Sequence, residues 1–135
     1  MSDIELARAA LAALKNSYSP YSGFSVGAAL LAASGRVYKG CNIENASYPA
    51  GICAERAALS CAVSEGEREF IRLAVVGGRG GKVTGFCPPC GICRQTLAEF
   101  CGEKFEILLY NGAEIRKFSL GVLLPFGFGR NSLCE

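Results

Sequence analysis

Two short segments far apart in the chain, Cys53-Ala54-Glu55 and Pro89-Cys90-Gly91-Ile92-Cys93, supply three thiols and a carboxylate with no evident packing role. If they act together, the fold must bring them to one point, and that requirement constrains the architecture more than any other feature. Thiolates are good zinc ligands, and a catalytic zinc takes three protein ligands with a fourth position for water. Cys53, Cys90 and Cys93 are the candidate metal ligands, and Glu55 is left free to move protons. Residues two apart on a regular helix point to nearly opposite sides. Cys53 and Glu55 can therefore serve one metal only if Cys53 lies at a helix start with non-helical torsions.

Composition narrows the chemistry. There is no histidine, which excludes catalytic triads, histidine-based metalloprotease sites and imidazole bases together. Eight cysteines in 135 residues would mean a disulfide framework in an exported chain, but Asp3 and Glu5 argue against a signal peptide, so the clustered thiols are read as metal ligands. Cys41, Cys61, Cys101 and Cys134 stand among small or apolar neighbours and are read as buried hydrophobes. The net charge of +2 is scattered, which gives a polynucleotide nothing to hold. No charge occurs between Lys15 and Arg36, yet Pro20, Gly23 and several serines interrupt the segment, so it is a loop and a strand and not a membrane span. A cytoplasmic location is expected. Half the residues are hydrophobic and only 19% charged, which points to surface buried between subunits.

The chain reads as one domain over residues 1–135. Ser2 and Glu5 form a capping-box pattern ahead of a helix whose stripe is Ile4, Ala7, Leu11 and Leu14. Residues 24–32 and 36–41 should pair as a hairpin across Ser34-Gly35. Cys53 should open a helix buried through Ala54, Ala57, Ala58, Cys61 and Ala62. Residues 71–76 read as a strand ending at Gly77-Gly78, residues 90–100 as a helix after Pro88-Pro89, and 105–110 and 115–118 as strands. The tail Leu123-Leu124-Pro125-Phe126-Gly127-Phe128-Gly129 is too glycine-rich to assign. This order implies an α/β layered domain.

Three thiolates around Zn²⁺ leave one net negative charge, so the site needs positive partners. Two helix N-termini carry roughly half a positive charge each. Arg56 and Gln95 are placed to donate hydrogen bonds to the sulfurs. The plainer alternatives are a surface ion pair for Arg56 and a helix-dipole partner for Glu55.

The pattern Cys-Ala-Glu followed by Pro-Cys-Gly-x-Cys resembles the zinc-dependent nucleoside and nucleobase deaminases. Val26-Gly-Ala-Ala-Leu30, Gly40-Cys-Asn-Ile-Glu-Asn-Ala-Ser-Tyr-Pro49, Cys53-Ala-Glu-Arg56, Pro89-Cys-Gly-Ile-Cys-Arg-Gln95 and Leu123-Leu-Pro125 are similar to the small homotetrameric cytidine deaminases over nearly the whole chain. The resemblance implies a three-layer α/β fold with a five-stranded mixed sheet, one zinc per subunit, and hydrolysis of cytidine and 2′-deoxycytidine to uridine and 2′-deoxyuridine in pyrimidine salvage. It further implies that Glu55 is the catalytic acid and base, that Asn42 and Glu44 bind ribose, and that Phe24 packs against the pyrimidine. Ala54 is a further substrate contact, and Tyr48 and Phe128 reach in from neighbouring subunits, with Phe126 competing for the last role. Ser25 stands where relatives often carry proline.

Three rivals remain at this level. Cys87-Pro-Pro-Cys90 is a redox-like dithiol. Cys53, Cys87, Cys90 and Cys93 could close a purely structural zinc site. Another aminopyrimidine nucleoside, such as an antibiotic or a modified cytosine, could be the substrate.

Overall fold

A computed structural model describes residues 1–133. Helix α1 (Asp3–Leu14) starts where the capping box places it: the Ser2 hydroxyl accepts from the Glu5 amide and the Glu5 carboxylate accepts from the Ser2 amide at 2.8 Å. Its buried face is Leu6, Ala7, Ala10, Ala13 and Leu14. Ile4 and Leu11 sit at the margin, so the stripe lies beside the one read from spacing alone.

Strands β1 (Phe24–Ala32) and β2 (Val37–Cys41) form the expected antiparallel hairpin, with Ala28 opposite Gly40. The turn uses Gly35 at φ 91, a left-handed torsion suited to glycine. After a single 3₁₀ turn at Tyr48–Ala50 come α2 (Ala54–Ser64), β3 (Phe70–Arg79), α3 (Gly91–Phe100), β4 (Glu106–Tyr110), β5 (Ile115–Ser119), α4 (Leu120–Leu123) and α5 (Arg130–Leu133). The sheet order is β2-β1-β3-β4-β5, antiparallel except for the parallel pair β3 and β4. This is the five-stranded mixed sheet expected.

Alternation along the strands divides the core in two. Ala28, Leu30, Leu73, Val75, Ile107 and Leu109 face α2 and α3, whereas Ala29, Leu31, Ala74, Val76 and Leu108 face α1. The fold therefore has three layers. Strand β3 runs three residues past its expected end, because Gly77 and Gly78 pair with Val26 and Ser25 instead of turning. A side chain at Gly77 would strike Cys87 and Phe24, so its bareness serves close approach.

Helix α2 buries Ala54, Glu55, Ala58, Leu59 and Ala62, while Cys61 is exposed. The buried stripe is thus rotated from the expected one, and Leu59 takes the core position in place of Cys61. Cys41 and Cys101 are half-buried, and Cys134 lies outside the described residues. The small faces of α2 and β2 set their spacing, since a methyl at Gly40 would collide with the backbone of Ala54 and Ala58. Gly40→Ala is accordingly expected to cost about 2 kcal/mol by overpacking. A thermal melt checks this, and an unchanged melting temperature would mean that the helix yields at no cost.

Candidate metal and catalytic centre

Cys53 and Cys90 are the N-caps of α2 and α3, with extended torsions of φ −77, ψ 154 and φ −68, ψ 170. This is the geometry the sequence demanded. With Cys53 outside the helix and Glu55 inside its first turn, both can serve one point. Cys93 follows in the first turn of α3 and is buried. Tetrahedral zinc, with Zn–S near 2.3 Å, keeps its sulfurs about 3.8 Å apart. The Cys53 and Cys90 sulfurs are 3.7 Å apart, and the three ligating atoms lie within 4.8 Å of one another. The donor set thus fits a zinc ion.

The charges fit as well. The two helix N-termini bring partial positive charge to the sulfurs, and Arg56 Nη2 donates to Cys53 Sγ at 3.4 Å. Hydrogen bonding from Cys93, with further help from Arg56 and Cys90, holds the Cys53 thiol down at about 5. Cys93 is pushed well above the ordinary thiol range by its hydrogen bond to Cys53 and by burial. One thiol of the pair thus keeps a proton that a divalent cation would displace. Arg56 is driven up by its hydrogen bond to Cys53, so it stays charged. Gln95 does not join it: its Nε2 donates to the Phe128 carbonyl at 2.7 Å, turned from the sulfurs toward the C-terminal segment.

Glu55 is 4% exposed. Burial, with the negative charge of Cys53 adding to it, raises its carboxyl to about 7. It lines a cavity of about 560 Å³ together with Cys53, Cys90, Ala54, Arg56, Asn42, Glu44 and Tyr48. The cavity wall thus brings two of the sulfurs and Glu55 together with the polar pair Asn42 and Glu44.

Asn42 is more committed than its residue type foretold. Its Oδ1 accepts from the Val26 amide at 2.9 Å and from the Ser17 hydroxyl, and its Nδ2 donates to the Phe24 carbonyl at 2.8 Å. One amide N–H remains for a ligand, so Asn42 can offer a donor there. Glu44 accepts from the Tyr21 and Ser22 amides at 2.9 and 3.0 Å and from the Ser22 hydroxyl. Bonds from Ser22 foremost, then from Tyr21, hold its carboxyl below the ordinary value, so it is ionised at neutral pH. A backbone bridge between Tyr18 and Ile43 keeps the two loops together.

Phe24 does not line the cavity. Its half-buried ring packs over Gly77 beside Cys87, which does line the cavity. Tyr48, expected from a neighbour, lines the cavity of its own chain, its ring 5.9 Å from that of Tyr21. Phe128 is 57% exposed and lies over a separate hollow between α3 and the C-terminal segment. Phe126 is fully exposed. Tyr21, Ser22, Val26 and Pro88 line the cavity although sequence reasoning gave them no role there; the loop position of Tyr21, Ser22 and Pro88 hints at it, whereas Val26 lies in β1. Cys87 lines it too, outside the sulfur triad, with burial raising its thiol to about 11. A four-sulfur site is not formed, and the cysteines of the described residues are free, so no Cys87–Cys90 disulfide exists.

Residues 1–109 match the model of the cytidine and deoxycytidylate deaminase zinc-binding region. The chain belongs to the cytidine and deoxycytidylate deaminase family. A cytidine deaminase of Sporosarcina psychrophila is 47% identical to it over 122 residues, 90% of this chain and 87% of that one. A cytidine deaminase of Halalkalibacterium halodurans is 45% identical over 124 residues, 91% of each. The crystal structure of a cytidine deaminase from Burkholderia pseudomallei superposes with a TM-score of 0.87 at 45% identity, covering 95% of this deaminase-family chain and all of that one. Among the described residues no helix is long and apolar enough to cross a membrane.

Proposed function

We infer that this protein is a zinc-dependent deaminase that hydrolyses cytidine and 2′-deoxycytidine to uridine and 2′-deoxyuridine with release of ammonia. The observation that carries the reading is a buried carboxylate beside three convergent thiols, at the end of a cavity whose other polar groups suit a sugar. Cys53, Cys90 and Cys93 would hold the metal. Bound zinc supplies Lewis acidity, which lowers the pKa of water to about 7.

The remaining work falls to this chain's own groups. Glu55 takes a proton from the water that adds to pyrimidine C4 and delivers it to N3. It then carries the second proton to the exocyclic amine, the C4–N bond breaks, and ammonia leaves a C4 carbonyl behind. A carboxyl held near 7 both accepts and returns a proton readily at neutral pH. Asn42 donates its remaining N–H to a ribose hydroxyl, and Glu44 accepts from another with its remaining lone pair. Ala54 borders the base at the start of α2. Arg56 offsets the thiolate charge.

The exposed aromatic rim of Tyr21 and Tyr48, and the exposed Phe128, support burial between subunits, in a homotetramer with active sites completed by neighbours; the cytoplasmic location rests on the likeness to cytidine deaminases. Light scattering tests the subunit count.

The substrate reading is tested by following absorbance loss with cytidine, 2′-deoxycytidine, cytosine and cytidine 5′-phosphate. Both nucleosides should turn over. Cytosine, which leaves the last Asn42 N–H and the last Glu44 lone pair without a partner, should fall by roughly 10²-fold or more in kcat/KM. Cytosine turned over as well as cytidine would defeat the reading.

A further inference from the structure

The three sulfurs are not equally well supported. Cys93 is buried among core residues, but Cys90 is exposed, and Gly91 beyond it offers no side chain, in a place where even a methyl group would meet no neighbour. Packing alone leaves Cys90 loosely held. On its other side stands Pro89, whose buried ring brings no amide hydrogen and whose carbonyl lies one residue before the N-cap of α3.

That carbonyl is met by a side chain. Arg94, whose amide caps the Cys90 carbonyl at 3.0 Å, folds its half-buried side chain back over the helix start. Its Nε donates to the Pro89 carbonyl at 2.7 Å and its Nη1 to the Leu123 carbonyl at 2.8 Å. Leu123 is the last residue of α4 and packs against the main core. One planar guanidinium therefore ties the approach to Cys90 to a segment anchored in the core.

We propose that Arg94 is a positioning residue for the metal centre, holding Cys90 in ligating position by fixing the Pro89 carbonyl against the end of α4. The proposal rests on the zinc reading but on nothing about the substrate. Lysine cannot replace it, because a single ammonium lacks the rigid fork that spans two carbonyls.

The test measures zinc release from the holoprotein to an excess of a chromophoric chelator, together with the visible spectrum of the cobalt(II)-substituted protein. Arg94→Met removes both donors and keeps the apolar stem. It should lose zinc about 10-fold faster or more, with altered cobalt–thiolate bands, in line with the usual effect of removing outer hydrogen-bond partners. Arg94→Lys should fall between it and wild type. Leu97→Ala, which opens the core on the same helix without touching Pro89, should melt lower yet release zinc at the wild-type rate well below its melting point. Arg94→Met or Arg94→Lys retaining zinc as wild type does would overturn the proposal, and so would Leu97→Ala releasing zinc as fast as Arg94→Met. Should Arg94→Met fail to fold, Arg94→Lys decides alone. Zinc release needs no turnover, so the role of Arg94 can be decided even in a protein inert toward cytidine.

Discussion

Glu55→Gln is expected to keep its zinc and to lose at least about 10⁴-fold in kcat for cytidine, since each positioned proton transfer contributes roughly 10² to 10⁴. Glutamine has nearly the same shape, so α2 and the three sulfurs should stay where they are. The change removes the one group that can carry a proton from water to N3 and then to the departing amine. Arg56 stays protonated and engaged with Cys53, and Cys87 holds its own proton with a thiol raised to about 11, so neither can stand in. KM should move little, because Asn42 and Glu44 bind at a distance from the reacting atoms. Metal analysis beside steady-state kinetics checks the prediction. A glutamine variant within about tenfold of wild type would remove Glu55 from the mechanism.

The parts legible in the sequence were those decided by local chemistry. Ser2 with Glu5, and Ser34-Gly35 between two strands, fix a helix start and a hairpin with their own atoms. The demand that Cys53 and Glu55 share one metal fixed Cys53 as a helix cap before any torsion was known. What escaped was set by partners remote in sequence. Gly77 and Gly78 look like a terminator, yet they stay in β3 because β1 pairs with them and Cys87 needs the space. Asn42 and Glu44 are proposed sugar contacts on the family resemblance, and an amide and a carboxylate suit hydroxyl groups. Their bonds to Val26, Phe24, Tyr21 and Ser22 depend on how the segment after β2 meets the start of β1 and the loop before it, so the number of free donors and acceptors could not be foreseen. Gln95 shows the same limit: its place near Cys93 suggested the sulfurs, but the Phe128 carbonyl is the partner the fold provides.

Cys90→Ser and Cys87→Ser are expected to part company completely, although only two prolines separate them. A serine hydroxyl does not ionise to a soft ligand at neutral pH, and losing one of three thiolates leaves zinc with two. Cys90→Ser should therefore be isolated with little metal and should show no measurable deamination, as should wild type after exhaustive chelation. Cys87→Ser changes one atom of a protonated thiol that packs on Gly77 outside the triad. It should retain one zinc per chain and activity within about threefold of wild type, with a small stability loss from placing a hydroxyl in a mostly apolar wall. Returning zinc should restore chelated wild type and leave Cys90→Ser inert, which separates a lost ligand from a lost fold. The contrast decides between a catalytic site with three sulfurs and a structural site with four: if Cys87→Ser also came out metal-free, the fourth corner would belong to protein and Glu55 would have no water to act on.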